Sequence, residues 1–276
     1  MESKVKLIVL DLDGTLLGSD KRVPQSAARA LEYAVSKGVA VVPCTGRPLH
    51  GIPAEVSALC SNPRYAITSN GAAVYSAGES KRLLRLTALD VRAVEEVRKL
   101  TLNKSVNFEV YCDGYGIASE KGYLRAEEFY PPEMLDYYHS SRRTCPDMSA
   151  FIAEHWDRIE KVNLTFLSQK LRQRLRDELG GIAGMQATTS SPNNLELISS
   201  RVSKGEALLW LADMLDIRQD ETAAFGDGEN DIPLLTVAGT SIAMGNASKS
   251  VQSFADIVTA SNDEDGIAKA IERLSI

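Results

Sequence analysis

The sequence predicts an α/β protein, a doubly wound parallel sheet interrupted by an inserted α+β domain. Three observations predict it. Short runs of branched apolar residues alternate with amphipathic helical stretches in the first eighty and the last eighty residues. Those apolar runs end in turns rich in Asp, Thr and Gly. Between them the pattern changes to short strand-like pieces punctuated by tight glycine turns. A length of 276 residues suits one large domain or two smaller ones.

The first element is read from "VKLIVLDLDGTLLGSD", residues 5–20. Leu7, Ile8, Val9 and Leu10 form a run too short to cross a bilayer and too branched for a loop. They read as a strand buried on both faces. Asp11 and Asp13 then fall at its carboxyl end, where open α/β sheets bind ligands. Two residues apart on extended chain, both carboxylates can face one pocket. "PQSAARALEYAVSKG" carries Ala27, Ala30, Leu31, Ala34 and Val35 at helical spacing and stops at Lys37-Gly38. "VAVVPCTGR" is a second buried strand running into a glycine turn, which completes a right-handed β-α-β unit. "YAITSNGAAVYS" is a third strand followed by a hairpin-like turn at Asn70-Gly71.

From about residue 83 the character changes. Strand-like pieces at 108–112, 115–119, 161–167 and 185–189 alternate with helical pieces at 90–103 and 171–179, an antiparallel α+β pattern. Of the nine Tyr, six Phe and two Trp, eleven lie between residues 84 and 190, enough to build the insertion its own core. From about residue 191 the α/β rhythm returns. "NLELISS" leads to the helical "VSKGEALLWLADMLDI", and three strand-turn-helix stretches follow from "TAAFGDGENDIPLLTVAG" onward. The expected division is a core of residues 1–83 and 190–276 with residues 84–189 inserted.

Composition narrows the function. The chain is 44% hydrophobic and 25% charged with a net charge of −6. Without a basic excess to neutralise a phosphate backbone, nucleic acid is not expected as a partner. Cys44, Cys60, Cys112 and Cys145 form no C-x-x-C, and His50, His139 and His155 form no H-E-x-x-H. They are expected to be free thiols and no zinc site. No signal peptide and no apolar stretch of membrane length is seen, so a cytoplasmic protein with no membrane partner is expected.

Four motifs fall at the ends of core strands or at a helix start: "DLDGT", "CTGR", Ser203-Lys204 and "GDGEND". Each alone is weak; together, in this order, chance explains them poorly. Asp11, Asp13, Asp227 and Asp231 place up to four carboxylates near one point, where like charges cannot all stay ionised without a counter-charge. A hard divalent cation supplies it, and Mg²⁺ favours a few carboxylates, waters and a substrate phosphate. Thr45 and the Gly46 N–H can donate to phosphate oxygens, and Lys204 adds a positive charge. This chemistry fits phosphoryl transfer to a carboxylate nucleophile.

The series "DLDGT…TGR…SNGA…SKG…GDGEND…MGNA" resembles the haloacid dehalogenase superfamily, specifically its Cof-like phosphatase branch. The resemblance spans nearly the whole chain. It implies a Rossmann-like core with a mobile α/β cap inserted after the third core strand. It also implies a Mg²⁺-dependent phosphatase acting on small phosphorylated metabolites, with sugar phosphates the first guess. By resemblance Asp11 attacks phosphorus to form an aspartyl-phosphate, while Asp13 protonates the leaving alcohol and later deprotonates water. The Asp11 and Asp227 side chains and the Asp13 backbone carbonyl would hold Mg²⁺. Thr45, Gly46, Lys204, Asn230 and the backbone of Leu12 would bind phosphate, and Asp231 would orient Lys204 or the metal's waters. Arg47, Asn70 and Asn246 match weaker signals near the site. The presence of Asp13 separates this chain from superfamily ion pumps, whose phosphoenzyme persists, and from the metal-free dehalogenases. A phosphohexomutase and a catalytically silent metabolite-binding regulator stand as alternatives. A monomer or a weak homo-oligomer is expected.

Overall fold

The computed structural model describes residues 4–59, 65–76, 81–130, 132–191 and 193–276. Along the first part of the chain run the strands β1 (Leu7–Leu10), β2 (Ala40–Pro43), β3 (Tyr65–Thr68), β4 (Ala73–Ser76) and β5 (Arg82–Leu86). Next come β6 (Asn107–Cys112), β7 (Tyr115–Ser119), β8 (Arg142–Cys145), β9 (Ile159–Thr165), β10 (Met185–Thr188) and β11 (Leu195–Ser199). The last are β12 (Thr222–Gly226), β13 (Thr240–Ala243) and β14 (Ile257–Val258).

Two compact units emerge. One contains Met1–Thr45, Pro53–Leu84 and Ser203–Ile276; the other contains Gly46–Ile52 and Arg85–Val202. The first is built on a parallel sheet in the order β14-β13-β12-β1-β2. This is the Rossmann-like core that the apolar runs predict. All four residues of β1 are buried, and they pair in register with Thr222–Phe225 on one side and Ala40–Pro43 on the other. After β1 the chain moves to β2 on one side, whereas β12 leads to β13 and β14 on the other. The order therefore reverses between β1 and β12, and the carboxyl ends of those two neighbours carry Asp11 and Asp227. Ala207, Leu208, Leu211 and Ala212 of the helix Lys204–Met214 pack with Leu7, Val9, Val42 and Ala224 into one apolar cluster. The expected hairpin is the antiparallel β3/β4 pair, turned through Ser69–Gly71, and β5 extends it to three strands.

The second unit holds a six-stranded sheet in the order β10-β11-β9-β6-β7-β8. It is antiparallel, as the glycine-punctuated pattern suggests, except that β7 and β8 run parallel. One face supplies Val110, Val162, Leu164, Leu195 and Leu197 to an apolar core that also contains Val94, Ile152 and Leu175 from three helices. The residues between them along each strand are polar and equally buried: Asn107, Glu109, Tyr111, Lys161, Asn163 and Glu196. Register places Glu109 beside Asn163, Asn163 beside Glu196, and Tyr111 beside Lys161.

Two readings of the sequence differ from this structure. "NLELISS", read as the returning core, is β11 and pairs antiparallel with β9 and β10. Its Leu-Glu-Leu alternation fits a sheet with one apolar and one polar face, not a strand apolar throughout. The helices Pro132–Ser141 and Met148–Glu154, and strand β8 between them, were not foreseen. Their amphipathic patterns are short and mixed with arginines and prolines. Cys44, Cys112 and Cys145 are free and buried, while Cys60 lies outside the described residues. Among the described residues no helix is long and apolar enough to cross a membrane.

Candidate active site

The candidate site is assembled at the carboxyl ends of β1 and β12. The Asp11 N–H donates to the Phe225 carbonyl at 3.1 Å, which continues the β1/β12 ladder by one residue and fixes where its side chain starts. Lys204 is the first residue of its helix, whose cap is the Ser203 hydroxyl accepting from the Glu206 N–H at 3.1 Å. The Lys204 ammonium is excluded from solvent and donates to Asp11 Oδ1 at 2.5 Å and to Asp231 Oδ1 at 2.6 Å. The second Asp231 oxygen accepts the N–H groups of Asp227 (3.0 Å) and Gly228 (2.9 Å), so this carboxylate braces both the lysine and the loop after β12.

Asp227 in turn accepts from the Thr15 hydroxyl at 2.7 Å. Gly14 makes that approach possible. It sits at φ +86°, and a Cβ there would come within 2.4 Å of Asp227 Oδ2. Asn246 donates to the Gly14 carbonyl at 2.8 Å, tying the loop after β13 to the one after β1. Asn230 donates to the side-chain oxygen of Asn70 at 3.1 Å. Asn70 reaches this position from a left-handed turn with φ 58°, a conformation that Asn tolerates better than most residues.

Electrostatics follow from this crowding. Burial pushes the Asp11 carboxyl well above its ordinary range; Asp231 and Asp227 push it the same way, and Lys204 opposes them. Burial and Asp231 raise Asp227 to about 6, against the Thr15 hydrogen bond and Lys204. Burial alone would lower Lys204, but Asp11 and Asp231 outweigh it and hold the ammonium well above its usual value. Asp11, Asp227 and Asp231 present carboxylate oxygens all within 4.8 Å of one another. Three carboxylates against one ammonium leave an excess of negative charge in a buried place. Hard oxygen donors with that excess suit a metal cation.

Most of the sequence-derived residues meet here: Asp11, Asp227, Asp231, Lys204, Asn230, Asn70 and Asn246. Asp13 is partly exposed and pairs with Lys21 at 3.1 Å. Leu12 is buried, and its carbonyl accepts the Leu17 N–H at 2.8 Å, closing the turn after β1. Thr45 is fastened through its backbone, its N–H donating to the Ile67 carbonyl (2.9 Å) and its carbonyl accepting from the Asn70 N–H (3.1 Å). Gly46 and Arg47 belong by their contacts to the second unit. There Arg47 donates to the Gly51 carbonyl at 3.0 Å and lies 4.5 Å over the Tyr137 ring. The sequence reading gave no role to Thr15, although it quoted the residue within the first motif. It also gave none to Lys21, and nothing in its local pattern marks it.

The family model for haloacid dehalogenase-like hydrolases matches residues 8–271. The chain belongs to that family. The 5-amino-6-(5-phospho-D-ribitylamino)uracil phosphatase YwtE of Bacillus subtilis is 28% identical over 98% of this chain and 98% of its own. Phosphatase YwpJ of the same organism is 29% identical, covering 98% of this chain and 100% of the relative. A haloacid dehalogenase-like hydrolase structure from B. subtilis superposes with a TM-score of 0.83 at 27% identity, over 98% of this chain and 100% of that one. A subclass IIB sugar phosphatase reaches a TM-score of 0.81 at 27% identity, over 98% of both chains. The Cof-like branch resemblance is thereby upheld, and with it the reading of the chain as a phosphoric monoester hydrolase.

Proposed function

We propose that this phosphatase hydrolyses small phosphorylated metabolites through an aspartyl-phosphate on Asp11, with Mg²⁺ as cofactor. The observation that carries the reading is the Lys204 ammonium held between Asp11 and Asp231, beside Asp227, at the reversal point of the parallel sheet. An Asp11 oxygen attacks phosphorus while the bond to the leaving alcohol breaks, and Asp13 gives that alcohol its proton. Asp13 then takes a proton from the water that attacks the phosphoenzyme, and the bond from Asp11 to phosphorus breaks to release orthophosphate. Lys204, Thr45, the N–H groups of Gly46 and Leu12, and Asn230 hold the phosphoryl oxygens. Lys21 donates to Asp13 Oδ1 at 3.1 Å.

The residues present fit the metal. Asp231 is engaged by an ammonium and two backbone N–H groups, which leaves Asp11 and Asp227, with the Asp13 backbone carbonyl, as its ligands. The ion would neutralise charge on the phosphoryl oxygens and on the crowded carboxylates.

Sugar phosphates are the first class to try. A sugar phosphatase and a phosphoribityl-uracil phosphatase are among the proteins this chain resembles, which supports a polyhydroxylated leaving group. Phosphate release across a panel of phosphorylated metabolites tests the reading. Selective release from one class is expected, and no release from any member would sink it. A dependence on a sugar bisphosphate with little net phosphate release would point instead to a mutase.

A further inference from the structure

The inserted unit holds a cavity of about 290 Å³ that is lined by its own residues alone. It lies among the end of the helix Val91–Thr101, the start of β6 and the helix Glu120–Leu124 that follows β7. Small-molecule sites begin at about this size, roughly 300 Å³. Its charge is one-sided. The chain as a whole carries more acidic than basic residues, 37 against 31, yet Arg98, Lys104, Lys121 and Arg125 line this cavity and, among the described residues, no Asp or Glu does. Val106, Phe108 and Met148 line it as well, and all three pack onto the apolar core of the unit. A ring of cations thus stands beside an apolar wall.

Local ion pairs account for only part of this charge. Arg98 donates to both Glu95 oxygens at 3.0 Å, and Arg125 donates to Glu128 at 3.0 Å. Lys104 lies 2.5 Å from Glu178, a carboxylate that also pairs with Arg174 at 2.7 Å and so serves two cations. Lys121 is exposed and makes no ion pair among the described residues. The carboxylates of these pairs all stand outside the lining, so the cavity meets the cations and not their partners. Four like charges around one space repel one another, and an anion between them would relieve that repulsion. We propose that the cavity binds a phosphorylated metabolite in which a multiply charged phosphate group is joined to an apolar ring, as in a nucleoside diphosphate. Lys121 and Arg125, four residues apart on one helical face, meet the phosphates, and Arg98 and Lys104 close the ring of charge. Phe108 and Met148 offer the organic ring an apolar surface. None of these residues belongs to the carboxylate and lysine cluster around Asp11, so this ligand is distinct from the substrate and the proposal does not rest on the phosphatase reading.

Calorimetric titration with ADP is the measurement, in excess chelator so that no metal shields the phosphates. Lys121→Glu with Arg125→Glu reverses the two cations of the helical face. Arg92→Glu with Lys170→Glu is the matched control: both positions are exposed in the same unit, lie outside the cavity and change the net charge equally. Losing charge-assisted contacts and gaining repulsion should raise the Kd for ADP by about tenfold or more in the first variant, and by less than about twofold in the control. Pyrophosphate and adenosine separate the two parts of the ligand, and each should bind more weakly than ADP. Hydrolysis of p-nitrophenyl phosphate with Mg²⁺, beside a thermal melt, should stay at the parent's level in both variants.

ADP binding that is lost in the reversed pair and kept in the control, with hydrolysis unchanged, supports the proposal. No ADP binding by the parent, or equal binding by the parent and the reversed pair, overturns it. An equal loss in the control would assign the effect to net charge and overturn it too. If a cooperatively melting reversed pair lost ADP binding and hydrolysis together, ADP would belong to the catalytic centre and the cavity would have no ligand of its own. Pyrophosphate binding as tightly as ADP would leave the apolar wall without a role, and adenosine doing so would leave the cations without one; either result overturns the choice of ligand. Should the reversed pair not melt cooperatively, Lys121→Gln alone carries the comparison. A Kd raised severalfold then supports the site, and an unchanged Kd overturns it.

Discussion

Lys204 of the core and Lys161 of the inserted sheet are both closed off from solvent, yet their surroundings move them in opposite directions. Burial favours the neutral amine at each. At Lys204 that tendency is outweighed by Asp11 and Asp231, and the ammonium is held well above its ordinary value. At Lys161 the Glu196 carboxylate offsets only part of it, Arg142 adds to it, and the pKa falls below the ordinary one. The contrast lies in how charges are counted. In the core one ammonium meets a cluster of three carboxylates, an imbalance that a metal cation can correct. On the polar face of the sheet Lys161 is paired with Glu196, and Arg142 with Glu109 at 3.5 Å. By this count the unbalanced cluster is the one suited to a cation, and the balanced one needs none.

The sharpest way to break this comparison is Asp11→Asn. It keeps the size of the side chain, removes the attacking charge, and lowers the crowding around Lys204, which retains Asp231. Turnover should fall by several orders of magnitude while the metal-free melting temperature stays level or rises. A variant that turned over at a large fraction of the parent rate would refute the covalent mechanism. One that lost activity only because it unfolded would refute the view that these carboxylates repel one another.

Chelation should come next in size. Excess chelator should abolish phosphate release and Mg²⁺ restore it, whereas Ca²⁺, with its looser and larger coordination, should inhibit. The metal-free protein should also show the imbalance in its stability. A carboxyl held at about 6 when folded binds its proton more tightly than the unfolded chain does, so its contribution to stability is lost as pH rises through that value. Denaturant titrations of parent and Asp227→Asn in chelator, at pH 4.5 and pH 7.5, measure this. The parent should lose more stability than the variant over that interval, and equal losses would remove Asp227 from the cluster.

How much of this was legible in the sequence differs between the two regions for a physical reason. The core strands are buried on both faces, so β1, β2 and β12 announce themselves as apolar runs, and their chemistry sits where the runs stop. Asp11 and Asp227 could be named because each directly follows such a strand, Asp231 because it closes the same loop as Asp227, and Lys204 because it opens a helix. The inserted sheet has one apolar and one polar face, and its alternation in "NFEVYC", "KVNLT" and "LELIS" reads as ordinary half-exposed strands. Nothing in that alternation says that the polar side is also buried. Glu109, Lys161 and Glu196 therefore received no role, and β11 was drawn into the core.

The balanced face yields a prediction of intermediate size. Glu109 is fully buried and accepts from Asn107 (2.9 Å), Tyr138 (2.9 Å) and Asn163 (3.1 Å) in addition to the Arg142 pair. Glu109→Ala leaves the buried Arg142 guanidinium without its carboxylate and several donors without that acceptor. The expected cost is about 3–5 kcal/mol of unfolding free energy, read from urea titration. A loss below about 1 kcal/mol would show that this network is solvated or slack and that the comparison between the two regions is misdrawn.

The smallest expected effect concerns Thr15. Its hydroxyl donates to Asp227 at 2.7 Å, a bond made to the charged form of the carboxylate and one of the influences that lower its pKa. Thr15→Val preserves the branched shape at a nearly inaccessible position and removes only the donor. Asp227 should then hold its proton to a higher pH, so that at a given pH a smaller fraction is ready to bind a cation. A hydrogen bond of ordinary strength predicts a metal affinity weaker by about two- to tenfold, seen by calorimetry with Mg²⁺. The sign of the pH effect separates this cause from simple disruption of the turn. If Thr15 acts through the Asp227 charge, the deficit should shrink as pH rises from 6 to 8, since both carboxylates are then ionised. A deficit that stayed constant over that range would mean that Thr15 orients the loop and leaves the titration of Asp227 untouched.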